Sequence, residues 1–330
     1  MNKKIFLVVL PVSIIFMYLF FKDNIVSTKQ IEYIESSSTL QGEWFELPTK
    51  SHEIKSVAFG NGVYVGVGEG FLGYSNDGRE WEFIKYEDGP SDLINEVIFA
   101  KGVFVAVGYD KIYTSPNGRE WKEIGIGADN HLFSVVYGNG KFVSVGSVGV
   151  FTSEDGVQWE HHRDSLYWTN LWSICFGDNQ FVAVGPYIAA TSIDGIEWEY
   201  NEIPFNDGMG YLSSVTYANG KYISIGGIDD KGSMVWSSKD GLEWNGILKV
   251  RDLNFSGNSL DNQFYFTGNR GLLYSKDGEE WKYFKSERSL DDVILVNKSL
   301  IITGMSSWDG SSTLPGAPIL IIPQNDIYSY

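Results

Sequence analysis

The fold this sequence predicts is all-β: a seven-bladed β-propeller of four-stranded blades, preceded by an N-terminal transmembrane helix. Three observations carry the prediction. A short motif recurs with a period near 40, strand-like runs and turn residues fill each period, and the two ends of the array hold complementary half-units. That period is the length of a four-stranded blade.

Lys3 and Lys4 precede an apolar run from Ile5 to Phe21 interrupted only by Pro11 and Ser13. Such a run lies at the lower limit for a membrane-spanning helix, and the paired lysines favour a cytoplasmic N-terminus. A cleaved signal peptide is the competing reading. It would have a shorter apolar region and a small-residue cleavage site, and only a weak one follows Ser27. Residues 1–22 are therefore expected as a cytoplasmic stub and uncleaved signal anchor, and 23–40 as a polar tether. The rest would lie on the periplasmic or extracellular side.

The propeller is expected over residues 41–323. Its motif is Ser75-Asn-Asp-Gly-Arg-Glu-Trp81, repeated at Ser115–Trp121, Ser153–Trp159, Ser192–Trp198, Ser238–Trp244 and Ser275–Trp281, with tryptophans 40, 38, 39, 46 and 37 residues apart. Before each motif stand two runs of alternating pattern. Ser56-Val-Ala-Phe-Gly-Asn-Gly62 reads as a first strand ending in an Asn-Gly turn, and Val63-Tyr-Val-Gly-Val-Gly68 as the second, joined by that hairpin. Phe71–Ser75 and Trp81–Ile84 read as the third and fourth strands. The glycine ending the second strand returns as Gly108, Gly146, Gly185, Gly226, Gly268 and Gly304.

No motif follows Gly304; the strand-like Pro318-Ile-Leu-Ile-Ile-Pro323 comes instead. Conversely, Gly42-Glu-Trp44-Phe-Glu-Leu47 resembles a fourth strand with nothing before it, in phase with the array. Joining the two closes the ring at seven blades and removes the exposed edges of an open array. Residues 324–330 remain as a C-terminal tail.

The motif is mechanical. Its serine and aspartate can take up backbone donors in a tight turn, glycine supplies the permissive backbone, and tryptophan packs between sheets. Asp77, Asn117, Asp155, Asp194, Asp240 and Asp277 are accordingly scaffold residues; Asn117 can accept the same bonds as the aspartates. The net charge of −17 disfavours nucleic acid. A single cysteine, Cys175, excludes an internal disulfide and sits in an apolar run. Nothing in the sequence calls for a cofactor or a metal.

These repeats resemble the Asp-box (BNR-like, sialidase-superfamily-like) propellers, whose turn reads Ser-x-Asp-x-Gly-x-x-Trp; here aspartate and glycine are adjacent. The resemblance covers about Gln41 to Pro323 and implies the fold more than an activity. Relatives include sialidases, with three arginines clamping a carboxylate and a tyrosine nucleophile. This chain has six arginines, two of them (Arg79 and Arg119) in box turns. Relatives also include xyloglucanase-like hydrolases with two acids in an aromatic cleft, and the non-catalytic photosystem II assembly propeller. An anchored, acidic, arginine-poor chain fits the last group best, which makes a non-catalytic module binding a protein or glycan partner the leading expectation. A glycan hydrolase on the same scaffold is the alternative.

In this topology the loops joining second and third strands share one face with the loops joining blades; box turns and hairpins occupy the other. The first face carries the irregular residues. Candidate binding residues are Tyr109, Asp110 and Tyr187, together with His161, Arg163, Tyr167 and Trp168 in a loop continuing to Trp172. Asp229 and Asp230 in an insertion, Arg270, and Trp308 with Asp309 complete the set. Exposed aromatics beside polar groups suit a peptide or glycan surface; the plainer reading is that Trp172 packs beneath the rim. His161 and His162 are adjacent and would point opposite ways in a strand, which argues against a metal pair.

Overall fold

The computed structural model describes residues 34, 38–46, 54–86, 93–128, 130–147, 149–163, 170–203, 210–228, 232–250, 255–286, 288–305 and 318–328. The anchor expected over 1–22 lies outside them. Among the described residues no helix is long and apolar enough to cross a membrane.

Seven sheets make up the ring, each built on four antiparallel strands. The first blade shows the pattern, with strands Ser56–Gly60, Val63–Gly68, Phe71–Ser75 and Trp81–Tyr86. Each first-to-second-strand hairpin has positive φ at both central residues, as at Asn61 (50°) and Gly62 (77°) or Asn139 (46°) and Gly140 (80°). That is the turn whose twist matches the strands it joins. Ring closure follows the expected pairing: strand Glu43–Glu46 lies antiparallel to Pro318–Pro323, with Trp44 opposite Leu320. N- and C-terminal segments thus share the seventh blade.

Two boundaries differ from expectation. Ser38–Thr39, inside the stretch read as tether, pairs in parallel with Trp281–Lys285 and gives the sixth blade a fifth strand. The Leu40 amide donates to Lys285 O and the Ile34 amide to Lys249 O, and Leu40 is buried in the core of the last two blades. The reason is apolar area: Ile34 and Leu40 are apolar residues within a polar stretch, and packing against the blades holds them. At the other end, Gln324–Tyr328 forms one short helix with Ile327 buried, so part of the expected tail is packed.

The core lies between blades. Trp81 packs with Ile54, Val57 and Phe71 against Ile301 and Ile319 of the seventh blade, and Trp121 packs on Val63 and Val65 of the first. The box turns repeat one hydrogen-bond set. In the third blade the amides of Val157 and Gln158 donate to Asp155 Oδ1 at 2.8 Å, Gly156 N–H donates to Ser153 Oγ at 2.9 Å, and Trp159 Nε1 donates to Gly156 O at 3.1 Å. Asn117 accepts the same two amides, both at 2.9 Å. In the sixth box Trp281 Nε1 finds no partner among the described residues. Arg79 and Arg119 lie over Phe45 and Tyr74.

The recurrent second-strand glycine is explained by proximity. A Cβ on Gly146 would lie 1.8 Å from His131 O, and one on Gly226 1.7 Å from Tyr211 O. The chain entering the second, third, fourth, fifth and seventh blades crosses there.

Candidate functional site: the mouth and throat of the central channel

The first strand of each blade lines the central channel, entering from the face that carries the blade-joining loops. Consecutive residues at the start of these strands form two layers. The upper layer contains Lys55, Asn95, Phe133, Trp172, Ser213 and Asp291; the lower contains Ser56, Glu96, Ser134, Ser173, Ser214, Ser256 and Asp292. Register shifts interrupt the pairing at Asn95, Phe133, Ser213 and Asp291. Bulges re-aim side chains, and here they stand at the funnel's wall. Two overlapping cavities share this wall: one of about 550 Å³ along the upper layer, here called the mouth, and one of about 140 Å³ that also takes in Glu96, Ser134 and Asp292, here called the throat. Trp172 meets Tyr211 edge-on, with centroids 5.5 Å apart, along the same wall.

The lower layer is a clasp joining neighbouring blades. Six of its seven residues accept an amide of the next blade's inner strand: Val97 N–H to Ser56 Oγ (3.2 Å), Val135 N–H to Glu96 Oε2 (2.6 Å), Ile174 N–H to Ser134 Oγ (3.2 Å) and Val215 N–H to Ser173 Oγ (3.1 Å). Gly257 N–H to Ser214 Oγ (2.7 Å) and Val57 N–H to Asp292 Oδ2 (2.8 Å) continue the series. Between the sixth and seventh blades the link differs, with Asn258 Nδ2 donating to Asp292 Oδ1 at 2.6 Å.

Five of these positions are serine; Glu96 and Asp292 are not. Burial pushes Glu96 up to about 7, against the amide of Val135 that favours its charge, and the nearby Asp292 charge pushes it further. Burial likewise lifts Asp292 to about 6, against amides from Val57 and Val293. Desolvation outweighs the hydrogen bonds in both. Sequence reasoning missed this pair. The signal was available: superposed repeats read Ser-Val at positions 56 and 134, but Glu-Val at 96 and Asp-Val at 292.

The expected rim residues divide. Tyr109, Tyr187 and Arg270 stand in second-to-third-strand loops of different blades, on the funnel's face. Tyr187 is 41% exposed and held at φ 63°, a conformation that strains a bulky residue. Tyr109 packs edge-on against His131, and Asp110 knits its loop by donating its amide to Asn130 O. His161 belongs instead to the outer strand Glu160–His162, its ring stacked on Phe151 at 4.0 Å, and His162 bonds Thr152. Arg163 is exposed just beyond. Tyr167, Trp168, Asp229, Asp230, Trp308 and Asp309 lie outside the described residues. Trp172, expected to lie under the rim, is half-buried and lines the funnel. Cys175 is buried, which raises its thiol pKa and keeps it protonated. Among the described residues, no cluster of three His, Cys, Asp or Glu could hold a metal ion.

No protein-family model matches the sequence, and no curated protein matches it either. Solved structures do. YCF48 from Cyanidioschyzon merolae is 14% identical, with TM-score 0.59 over 86% of this chain and 99% of that one. A catalytically inactive form of virginiamycin B lyase from Staphylococcus aureus, solved with quinupristin, is 8% identical with TM-score 0.67 over 86% and 99%. PorZ of Porphyromonas gingivalis, an essential bacterial surface component of the type-IX secretion system, is 12% identical with TM-score 0.57 over 78% of this chain but 36% of its own. At these identities the likeness establishes the fold: the chain is a seven-bladed β-propeller of four-stranded blades.

Proposed function

We propose that this chain is a membrane-anchored, extracytoplasmic propeller of the Asp-box type that binds a protein partner on its loop face without catalysing a reaction. One observation carries the reading. The only non-serine members of the clasp, Glu96 and Asp292, are committed to holding backbone amides, so the funnel presents a rigid wall rather than mobile acids. A rigid frame with non-repeating residues at one mouth is where binding function is grafted on repeat scaffolds. Six box turns with one hydrogen-bond pattern support the Asp-box assignment. The Lys3-Lys4 pair before an apolar run supports export.

Crosslinking the full-length protein in its own membranes and recovering it should yield a protein partner, lost with Trp172→Ala or Tyr187→Ala. Glycan capture without any protein would overturn the reading.

The raised pKa of the two acids also suits a general acid, so a glycan hydrolase is the second reading. Against it stands the throat of about 140 Å³, below the roughly 300 Å³ of small-ligand pockets. Release of reducing sugar from polysaccharides, abolished by Glu96→Gln, would support hydrolysis.

A further inference from the structure

The internal repeat supplies its own control for the segment ahead of the closing strand. In the first five boxes the tryptophan ring nitrogen donates to the box glycine carbonyl at 3.0–3.2 Å. In the sixth, the buried Trp281 Nε1 has no partner among the described residues, and Ser275 Oγ is drawn to Glu280 O at 2.6 Å. The seventh blade has no box: its third strand, Pro318–Pro323, and its fourth, Glu43–Glu46, come from opposite ends of the chain. Elsewhere a box turn ties the fourth strand to the third. Here four residue pairs hold it, and so short a pairing is marginal by itself. The strap of residues 34–40 lies on these two blades. Ser38 and Thr39 pair in parallel with Phe284 and Lys285, and Leu40, 7% exposed, sits in the core between the sixth and seventh blades. Ile34 packs on the core between the fifth and sixth, the cluster that also takes Trp281. Gly42 then passes so close to the seventh blade that a Cβ there would lie 2.7–2.8 Å from Leu320, Ile321 and Ile322. On its other side the closing strand meets Arg79, ion-paired with Glu43 at 3.2 Å; exposed pairs of that kind contribute little.

We propose that residues 34–40 are a latch: a strap that stands in for the missing seventh box and the loosened sixth, and whose release frees the closing strand and opens the ring at one seam. Leu40 and Trp44 pack in the same core cluster, so lifting Leu40 withdraws the support that holds Trp44. Strap and closing strand then leave as one unit, while the first five blades, each tied by a full box, stay folded. Local opening of this kind starts at the least supported contiguous element. The strap runs N-terminally from the closing strand. Anything that grips or pulls the chain ahead of Ile34 therefore acts on the latch before it acts on the ring. Ring closure is in this way placed under the control of the N-terminal segment, whatever the loop face binds.

The test is amide hydrogen exchange of the full-length protein, read peptide by peptide by mass spectrometry. Leu40→Ala should speed exchange over Glu43–Glu46 and Pro318–Pro323 by about tenfold or more, and leave the second, third and fourth blades within about twofold of wild type. Ile34→Ala is the sharper variant. Its side chain lies against the fifth and sixth blades, yet it should speed exchange over Glu43–Glu46 by about threefold or more, because the strap moves as a unit. Val143→Ala trims the core between the third and fourth blades and should not single out the closing strand. If Leu40→Ala fails to fold, Leu40→Val and Ile34→Ala make the same comparison. Unchanged protection of Glu43–Glu46 in the strap variants would overturn the proposal, as would exchange rising by one factor in every blade. An effect of Ile34→Ala confined to Asn245–Val250 and Trp281–Lys285 would make the strap a local patch and not a latch. Equal exposure of the closing strand by Val143→Ala would show that it answers to any loss of core, and the latch would fall with it.

Discussion

The two ends of this molecule use one chemical group in opposite ways. On the box face, Asp77, Asp155, Asp194, Asp240 and Asp277 accept backbone amides in exposed turns, and their pKa values fall below the ordinary 3.8. In the channel, Glu96 and Asp292 also accept backbone amides, yet theirs rise to about 7 and about 6. Hydrogen bonding is similar; solvation is not. Water at the turn lets the amides act on an inexpensive charge, while the throat makes the charge costly before the amides act. Both sets hold backbone amides; repetition places the one in solvated turns, and departure from repetition places the other in the buried channel wall.

The largest effect should come from the scaffold. Trp81→Ala removes a side chain only 7% exposed at the junction of first and last blades, at about 3–5 kcal/mol; chemical denaturation would measure it. A loss below about 1 kcal/mol would mean the tryptophans are not the interblade wedge.

Next is the throat. The folded pKa of Glu96 is raised above its ordinary value of 4.5 to about 7. Its effect on stability is therefore absent below pH 4.5 and destabilising as pH rises through 7, by no more than about 3 kcal/mol. Glu96→Ser should match wild type in thermal unfolding at pH 4.5 and exceed it at pH 8. Equal curves at both would remove the contrast with the box face.

The box aspartates carry the opposite sign. Asp155→Ala frees the amides of Val157 and Gln158 and should cost about 1 kcal/mol at pH 7. That cost should shrink as pH falls through the lowered folded pKa of Asp155, below 3.8. Asp155→Asn, which copies Asn117 of the second blade, should keep the stability and lose the pH dependence. The smallest change belongs to the rim. Tyr187→Gly relieves φ 63° and should raise stability by up to about 1 kcal/mol while weakening partner capture.

Much of this was legible in residues alone, because a repeat averages out local ambiguity. Trp44 in phase with Trp81 sufficed to pair Glu43–Glu46 with Pro318–Pro323, and adjacent Asn-Gly and Asp-Gly pairs marked hairpins and box turns. The glycine series was visible too, but its cause, a carbonyl within 2 Å of an absent Cβ at Gly146 and Gly226, needed the crossing chain. Ile34 and Leu40 looked like part of a linker because their neighbours are polar, and only packing shows what they cover. His161 looked like a loop residue, since three residues of strand pattern are too few to recognise.

By itself, then, the sequence determined the blade, its number and its closure, since strand period, turn chemistry and motif spacing are local and repeat. Which residues share the channel was decided by the tertiary structure. Glu96 and Asp292 stand nearly 200 residues apart, and only closure of the ring brings them to either side of Ser56. Their pKa values follow from that meeting, because desolvation and mutual repulsion depend on the surroundings a residue reaches and not on its neighbours in the chain.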